Sequence, residues 1–324
     1  MSLTDRHGRR INYLRLSVTD RCNLACRYCR PERRARVPGP LLDLAAGLRL
    51  VRTAVGLGFQ KVRITGGEPL LRPGILPFLA KVAAIPGLDA LVLTTNGTLL
   101  ADFARDLRQA GVQRLNISLD SLDPATFRTL TGGGELERVL AGVAAAEAAG
   151  FASVKLNTVV MRGVNEEEVA DLAALTIERP LIVRFIELMP VAGCRDWERL
   201  VVPGAEILAR LRQRFPVLAE EASDLSGPAR PFRIPGARGA LGLITAMSCG
   251  FCETCNRIRV DAAGRARGCL FANQTFDLAP FLGPGQEAEL AEAIRGIVLA
   301  KPDRRPPLAE DSGRIAASMQ AIGG

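Results

Sequence analysis

The sequence predicts an α/β fold in which parallel strands alternate with helices, followed by a smaller C-terminal part. Between about residue 40 and residue 190, short apolar segments rich in β-branched residues alternate with longer segments of helical periodicity. Polar residues recur at every second position on several of these predicted strands. After residue 187 the alternation stops, and residues 223–242 are rich in Gly, Pro and Arg. We therefore expect two parts, residues 1–222 and residues 223–324.

The alternating part contains five predicted strands and five predicted helices. The strands are expected at 61–65, 90–94, 114–119, 153–160 and 182–187. The helices are expected at 43–55, 75–84, 101–110, 136–149 and 166–175. Gly58, Gly111 and Gly150 stand where helices should end, and Asn165 is the expected N-cap of the last helix. Regular alternation of this kind predicts parallel strands joined by helical crossovers, in an open sheet or a barrel.

Polar side chains share one face on three of the predicted strands, towards their carboxyl ends: Arg63 with Thr65, Asn116 with Ser118 and Asp120, and Lys155 with Asn157. A parallel sheet covered on both faces would be almost wholly apolar there. Exposed strand ends would explain some of these residues. The recurrence favours a barrel interior that opens into a binding site.

The C-terminal part begins with different signals. A helix is predicted over 204–215, and residues 223–242 are predicted to form a loop or linker. Segments 256–260 and 265–270 flank the turn-like sequence 261–264 and predict a hairpin. This hairpin would return Cys269 to the neighbourhood of Cys255.

Composition limits the class of protein. The chain has 324 residues, 48% of them apolar, which is enough for one large domain with a smaller one. Eight cysteines are too few for a disulfide scaffold in a chain of this length. The polar N-terminus and the lack of a long apolar run predict no signal peptide and no membrane span. We expect a soluble cytoplasmic protein, and the net charge of +8 predicts an anionic partner.

Six cysteines form two triplets, C-x₃-C-x₂-C and C-x₂-C-x₁₃-C: Cys22, Cys26 and Cys29, and Cys252, Cys255 and Cys269. Three thiolates leave one coordination position open for a small molecule. Zinc is the alternative to an iron–sulfur cluster, but structural zinc requires a fourth ligand, and the only histidine, His7, is distant in sequence. Cys249 offers a competing C-x₂-C-x₂-C set with Cys252 and Cys255.

The first triplet, with Tyr28 before its last cysteine, and the sequence GGEP at 66–69 resemble the radical S-adenosylmethionine (SAM) superfamily. The resemblance implies a 4Fe–4S cluster whose open iron binds SAM. It further implies that the fold is an incomplete (β/α)6 TIM-like barrel whose open side is closed by a C-terminal extension. The SAM contacts that it implies are Tyr28, Gly67, Glu68, Ser118 and Met189.

Within that superfamily, the chain resembles the GTP 3′,8-cyclases of molybdenum-cofactor biosynthesis. The motifs that carry this resemblance lie at 14–22, 61–69, 94–97, 116–120, 184–190, 252–259 and 269–271, with a terminal Gly-Gly. They imply a second 4Fe–4S cluster on Cys252, Cys255 and Cys269, whose open iron binds the guanine of GTP. The remaining GTP contacts that they imply are Arg15, Lys61, Arg63, Thr94, Lys155, Arg184, Arg257, Ile258 and Arg259.

The resemblance also implies the reaction and its partners. A 5′-deoxyadenosyl radical abstracts hydrogen from C3′ of GTP, and C3′ then bonds to C8, so no side chain acts as a catalytic acid or base. The lone His7 agrees with this expectation, because no histidine-based triad is available. Implied partners are an electron donor and the downstream cyclic pyranopterin monophosphate synthase, and a homodimer is left open. The tail Gly323-Gly324 is expected to reach the active site.

Two alternative functions remain open at the level of sequence. A radical SAM enzyme that modifies RNA would explain the positive charge, but the arginines lie within strand motifs and few aromatic residues accompany them. We therefore expect neither nucleic acid nor a membrane as partner. A non-catalytic iron–sulfur or zinc protein would explain the cysteines, but neither GGEP nor the polar strand faces.

Overall fold

The computed structural model describes residues 3–29, 39–190, 194, 196–216, 218–220, 227–306 and 319. Its strands are β1 (Tyr13–Ser17), β2 (Lys61–Thr65), β3 (Ala90–Thr95), β4 (Arg114–Ser118), β5 (Ser153–Val160), β6 (Leu181–Glu187), β7 (Ala219–Glu220), β8 (Arg230–Arg233), β9 (Ala240–Ile244), β10 (Arg257–Val260), β11 (Arg265–Arg267) and β12 (Phe276–Asp277). Its α-helices are α1 (Leu44–Gly56), α2 (Ile75–Ala83), α3 (Leu100–Gln109), α4 (Pro124–Thr131), α5 (Leu136–Ala148), α6 (Val169–Glu178), α7 (Trp197–Leu200), α8 (Gly204–Arg214) and α9 (Glu287–Leu299).

The strands form one sheet in the order β12-β11-β10-β1-β2-β3-β4-β5-β6-β9-β8-β7. Every pairing from β10 through to β9 is parallel. From β1 to β6, each strand is followed by a helical crossover, and α4 and α5 share the crossover between β4 and β5. This arrangement confirms the predicted incomplete (β/α)6 barrel.

The C-terminal part supplies both strands that flank the six-stranded barrel. β9 pairs with β6, β10 pairs with β1, and residues 245–256 connect β9 to β10. Side chains from β1 through β6, β9 and β10 line a single cavity, so this connection runs along the open side of the barrel. The predicted C-terminal extension is thus confirmed, and it carries Cys252 and Cys255.

The core lies between the sheet and the crossover helices. Leu50 of α1, Leu79 of α2 and Leu93 of β3 are fully buried and belong to one continuous apolar cluster. Burying a leucine side chain contributes about 1.5–3 kcal/mol, so these contacts hold the helices on the outer face. The inner face is left for polar residues. α1 begins at Asp43, whose carboxylate accepts a hydrogen bond from the Ala46 amide at 2.6 Å.

Three local predictions were wrong. Residues 166–168 form a 3₁₀ turn, and α6 starts only at Val169. Asn165 does not cap a helix, because its amide donates to the carbonyls of Asp120 and Val159 and so ties the ends of β4 and β5 together. Residues 223–242 are not all loop, since β8 and the start of β9 pair antiparallel within them.

Candidate active site

The inner face of the sheet encloses a cavity of about 230 Å³. It continues into a wider space of about 940 Å³ that opens beside residues 245–256. The cavity and the wider space form one compartment, because both are bordered by Phe251, Arg257, Arg259 and Leu270. The first cysteine triplet borders the inner cavity and the second borders the wider space.

The first triplet lies on the loop that follows the carboxyl end of β1. The Cys29 amide donates to the Cys26 carbonyl at 3.0 Å, and the Leu24 amide donates to the Cys22 sulfur at 3.4 Å. Burial raises the pKa of Cys26 well above its usual value, and the neighbouring Cys29, Asp120 and Cys22 raise it further. The three cysteines can therefore lose their protons together only when a bound cation balances the charge of their thiolates.

The sequence GGEP packs against the backbone of this cysteine loop. The Gly67 amide donates to the Thr19 carbonyl at 2.8 Å, and the Glu68 amide donates to the Arg21 carbonyl at 2.7 Å. A Cβ atom on Gly67 would lie 2.2 Å from the Arg21 carbonyl oxygen. Glycine is therefore required at position 67 to hold the cysteine loop against β2.

Glu68 is fully buried, and its carboxylate is engaged by the protein itself. It accepts hydrogen bonds from the Leu70 amide at 3.1 Å, the Thr95 hydroxyl at 2.8 Å and the Asn96 amide at 2.7 Å. Burial raises the pKa of Glu68 to about 7 against the opposing effect of these bonds. Asn96 in turn donates to the Cys22 sulfur at 3.7 Å. Glu68 thus positions a cysteine neighbour, while Gly67 borders the cavity.

Asp120 is a residue of this end of the cavity that the sequence did not single out as a contact. Its carboxylate accepts from the Tyr28 hydroxyl at 2.8 Å and from the Val159 amide at 2.9 Å. Burial raises the pKa of Asp120 to about 6. Tyr28, Ser118 and Met189, three of the expected SAM contacts, border the cavity beside it. The signal was available, because Asp120 continues the polar face of β4.

The second triplet lies at the amino end of β10, the parallel neighbour of β1, whereas the first triplet lies beyond the carboxyl end of β1. Cys252 and Cys255 precede β10, and the Cys255 amide donates to the Cys252 carbonyl at 3.1 Å. The β10–β11 register pairs Arg259 with Arg267, and its continuation brings Cys269 opposite Arg257, as the predicted hairpin requires. β1 spans five residues, so the two triplets are separated by roughly 15 Å or more along the barrel.

Two buried cations tie the second triplet to the ends of the described chain. Lys301 donates from Nζ to the Gly268 carbonyl at 2.6 Å, the Arg257 carbonyl at 2.9 Å and the Cys255 sulfur at 3.7 Å. Arg9 donates to the Cys252 carbonyl at 2.9 Å and pairs with Asp5 at 2.6 Å. Sequence reasoning missed both residues, although Lys301 is one of only four lysines.

The pKa values of two cysteines of the second triplet, Cys255 and Cys269, are shifted by burial and by neighbouring charged groups. Although burial raises the pKa of Cys255, the neighbouring Arg257 and Lys301 outweigh it and lower that pKa to about 7. Burial also raises the pKa of Cys269, and Cys255 and Cys252 act on it in the same direction. Cys249 is exposed and borders only the wider space.

The donor sets fit clusters better than a single metal ion. Within the described ranges, no three Cys, His, Asp or Glu side chains converge as ligands of one ion. Cysteines of a 4Fe–4S cluster each bind a different iron, so they surround the cluster instead of meeting at a point. Both triplets consist of thiols only, the ligands that such clusters use.

Between the two cysteine sets lies a grid of cations on three adjacent strands. The registers place Tyr13 of β1 between Arg257 of β10 and Lys61 of β2. One step further along, they place Arg15 between Arg259 and Arg63. Side chains two residues apart share a face, so all six belong to one face of the sheet. We refer to these six residues as the basic grid.

The cations of this region are buried among other cations. Burial, followed by repulsion from neighbouring arginines, lowers the pKa of Lys61 and of Lys155 to about 7. Burial is also the largest cause that lowers the pKa of Arg184 to about 9 and of Arg259 to about 10. In the described part of the chain, Arg63, Lys155 and Arg184 form no ion pair with a carboxylate. Such a set requires an anionic ligand.

The expected GTP contacts are not all equally placed. Arg15, Arg63, Thr94, Arg184, Arg257 and Arg259 border the cavity. Lys61 and Lys155 lie beside the cavity, each two residues before a cavity-lining residue of its strand, towards the amino end. Ile258 alternates to the other face and is 1% exposed in the apolar core, so only its backbone can reach a ligand. Arg184 is fixed by donating to the side-chain oxygens of Asn157 and Asn116.

Comparisons with known proteins agree with this geometry. The family described as the radical SAM superfamily matches residues 16–176, and Molybdenum Cofactor Synthesis C matches residues 181–306. A GTP 3′,8-cyclase of Geobacter sulfurreducens is 56% identical over 326 residues, covering 100% of both chains. One of Peptoclostridium acidaminophilum is 43% identical, covering 99% of this chain and 98% of that protein.

Solved structures show the same fold at greater distance. The crystal structure of Streptococcus suis SuiB bound to S-adenosylmethionine superposes with a TM-score of 0.61 at 18% identity, covering 90% of this chain and 69% of that one. Among the described residues, no helix is long and apolar enough to cross a membrane. On the strength of the full-length relatives, the chain belongs to the GTP 3′,8-cyclase family of radical SAM enzymes.

Proposed function

We propose that this protein converts GTP to (8S)-3′,8-cyclo-7,8-dihydroguanosine 5′-triphosphate, the first step of molybdenum-cofactor biosynthesis. The observation that carries the proposal is one continuous compartment with a cysteine triplet at each end and buried cations between them. The curated relatives that match the whole chain carry the name of this activity. Cations enclosed in a narrow cavity suit a triphosphate better than an RNA strand, which needs an exposed basic surface.

In this proposal each triplet holds a 4Fe–4S cluster, and the two clusters have different tasks. When bound, the first cluster and SAM would supply the radical that removes hydrogen from C3′ of GTP. C3′ would then bond to C8 as the C8–N7 double bond opens, and one electron from the electron donor with one proton would complete the dihydro product. Cys22, Cys26 and Cys29 would hold that cluster, while Tyr28, Gly67, Ser118 and Met189 would surround SAM. Glu68, which does not border the cavity, would act by positioning Asn96 beside Cys22. Cys252, Cys255 and Cys269 would hold the second cluster at the guanine.

The protein's own side chains then bind and orient the substrate. The basic grid, with Lys155 and Arg184, would neutralise the triphosphate, and Arg side chains can grip phosphate oxygens at two points. The roughly 15 Å or more between the triplets leaves room for SAM and GTP end to end. Holding C3′ towards the first triplet is positioning, which is the main contribution that a protein makes to radical chemistry of this kind.

Several finer points belong to the same proposal. We place the division between the barrel and the C-terminal part at residues 222 and 223. The protein would work in the cytoplasm with an electron donor and deliver its product to cyclic pyranopterin monophosphate synthase, and a homodimer is compatible with the proposal. Met319 borders the cavity, which supports an approach of the C-terminal tail. Gly323 and Gly324 themselves lie outside the described residues.

The decisive experiment is anaerobic reconstitution followed by incubation with SAM, a reductant and GTP. We expect about eight irons per chain, since each cluster holds four. We also expect 5′-deoxyadenosine that depends on GTP, together with a cyclised nucleotide. SAM cleavage that is independent of GTP and yields no nucleotide product would refute the proposal. Guanosine serves as the control substrate, because it offers the base and the ribose without the triphosphate.

A further inference from the structure

Tyr13 is the one residue of the basic grid that carries no positive charge. It lies on β1 with Arg257 and Lys61 as its direct cross-strand neighbours. Its side chain borders the cavity, yet the residue is only 1% exposed. Tyr13 precedes the motif at 14–22, and it is not among the contacts that the family resemblance implies. Its position alone therefore raises the question of what a tyrosine does among five cations.

The hydroxyl of Tyr13 makes no hydrogen bond of normal length and angle with the residues that the structure describes, and the Arg63 side chain lies near it. Arg63, Thr94 and Arg257, which border the same cavity, also present buried polar atoms without partners there. A buried hydroxyl without a partner is costly, because it has lost its bond to water and gained none in return. Several such atoms around one cavity indicate that a polar ligand completes them.

The ring of Tyr13 is held in place by its charged neighbours. Nζ of Lys61 lies 4.7 Å from the ring centroid, and the Arg63 guanidinium carbon lies 5.4 Å from it. Both distances are within the range of a cation–π contact. The ring thus packs against two cations without adding a charge of its own.

We propose that Tyr13 is a substrate-binding residue whose phenolic hydroxyl donates a hydrogen bond to an anionic oxygen of the GTP triphosphate. This inference rests on the proposed function, which places the triphosphate against the basic grid. A sixth cation at this position would raise the repulsion among the five already there. A tyrosine adds a donor to phosphate at no such cost, and a neutral donor to a charged acceptor is a strong hydrogen bond.

The test uses the reconstituted holoenzyme with both clusters and compares the variant Tyr13→Phe with wild type. We expect GTP to bind about tenfold more weakly, equivalent to about 1.4 kcal/mol, while the affinity for guanosine is unchanged. We expect the melting temperature without nucleotide to stay the same or to rise, because the variant removes an unpaired buried hydroxyl. The stabilisation that GTP confers should shrink in parallel.

A matched control removes a buried hydroxyl that does have a protein partner. Thr158 of β5 is fully buried and donates to the Leu119 carbonyl at 2.6 Å. Thr158→Val should lower the melting temperature and leave the ratio of GTP to guanosine affinity as in wild type. Variant Tyr13→Leu, which also removes the ring, should weaken GTP binding at least as much as Tyr13→Phe.

The outcomes separate this inference from the proposed function. If wild-type holoenzyme does not bind GTP, the proposed function fails and the inference fails with it. If wild type binds GTP and Tyr13→Phe binds it equally well, only the inference is wrong. A melting temperature lowered as much as in Thr158→Val would likewise overturn it, because the hydroxyl would then have a partner in the protein.

Discussion

Raising the pH from 7 to 8 should weaken GTP binding and stabilise the ligand-free protein at the same time. The two groups responsible are Lys61 and Lys155. In the folded chain, burial lowers the pKa of each from an ordinary value of 10.5 to about 7. Between these two values the unfolded chain holds more protons than the folded one. Stability therefore rises with pH over that range. Binding changes in the opposite direction, because the triphosphate needs charged lysines.

The magnitude follows from the fraction of each lysine that is charged. That fraction falls from about one half at pH 7 to about one eleventh at pH 8 if the pKa is about 7. GTP affinity should therefore drop about fivefold for each lysine and about 30-fold for the two together. Over the same interval, the free energy of unfolding of the ligand-free protein should rise by about 1 kcal/mol for each lysine.

The assay measures GTP affinity and denaturant unfolding at both pH values for wild type and for Lys61→Met, Lys155→Met and Lys81→Met. Lys81 is exposed on α2 and provides the matched control. GTP changes its own charge with pH equally in every variant, so the ratio of wild type to variant isolates the lysine. If the pH dependence of GTP affinity were the same in Lys61→Met, Lys155→Met and wild type, the lysines would not titrate in this range and the reasoning would fail.

Three further predictions concern the clusters. Cys269→Ala should lose the iron of one cluster, whereas Cys249→Ala should keep about eight irons per chain; the opposite iron counts would transfer the ligand role to Cys249. Gly67→Ala should abolish the first cluster, because its Cβ would lie 2.2 Å from the Arg21 carbonyl oxygen, while Gly296→Ala on α9 should fold normally. Lys301→Met should destabilise the protein by about 2–4 kcal/mol and lower iron binding by the second triplet, since the buried Arg257 carbonyl and the partly buried Gly268 carbonyl lose their donor. Full iron content and wild-type stability in that variant would show that Lys301 is dispensable.

The barrel could be predicted because its signals are local. Strands β2 and β5 begin and end at the predicted residues, since each has buried, mostly β-branched residues at alternate positions between turn signals. Helix α6 was misplaced because three glutamates in a row suggest a helical first turn, whereas the tertiary role of Asn165 delays the helix. Part of the predicted linker at 223–242 forms strands because β8 pairs antiparallel with β9, and local composition does not reveal this pairing.

The candidate site shows the same division. The polar faces of the strands were visible as a period of two, and the cysteines by their spacing. Arg9 and Lys301 were missed because their partners lie 243 and 46 residues away, at Cys252 and Cys255. Contacts of that kind depend on how the chain termini pack against the barrel, which no local pattern encodes. Tyr13 was missed because no strand was predicted over residues 13–17, so nothing in the sequence placed it between Arg257 and Lys61.

Closure of the barrel depends on the carboxylate of Glu187 at the end of β6. It is fully buried and accepts from the Gly204 amide at 2.7 Å, the Met247 amide at 2.7 Å, and the Ser248 amide and hydroxyl at 3.0 and 2.5 Å. In Glu187→Gln, an NH₂ group replaces one carboxylate oxygen and faces the amide and hydroxyl groups that donated to that oxygen. We therefore expect the free energy of unfolding to fall by about 2–4 kcal/mol. As a control, Glu206→Gln removes the charge of a partly exposed carboxylate that pairs with Arg162, and it should cost at most about 1 kcal/mol.

The same substitution should act selectively on the two triplets. Residues 245–256 start at the contact with Glu187 and carry Cys252 and Cys255, whereas the first triplet lies on the loop after β1. Glu187→Gln should therefore release the connection between β9 and β10 and lower the iron of the second cluster before that of the first. Variants that retain a single complete triplet, Cys22→Ala or Cys269→Ala, allow the iron of each cluster to be measured separately by spectroscopy. Equal loss from both would mean that Glu187 supports the barrel as a whole, because only a local hold on the connecting segment can separate them.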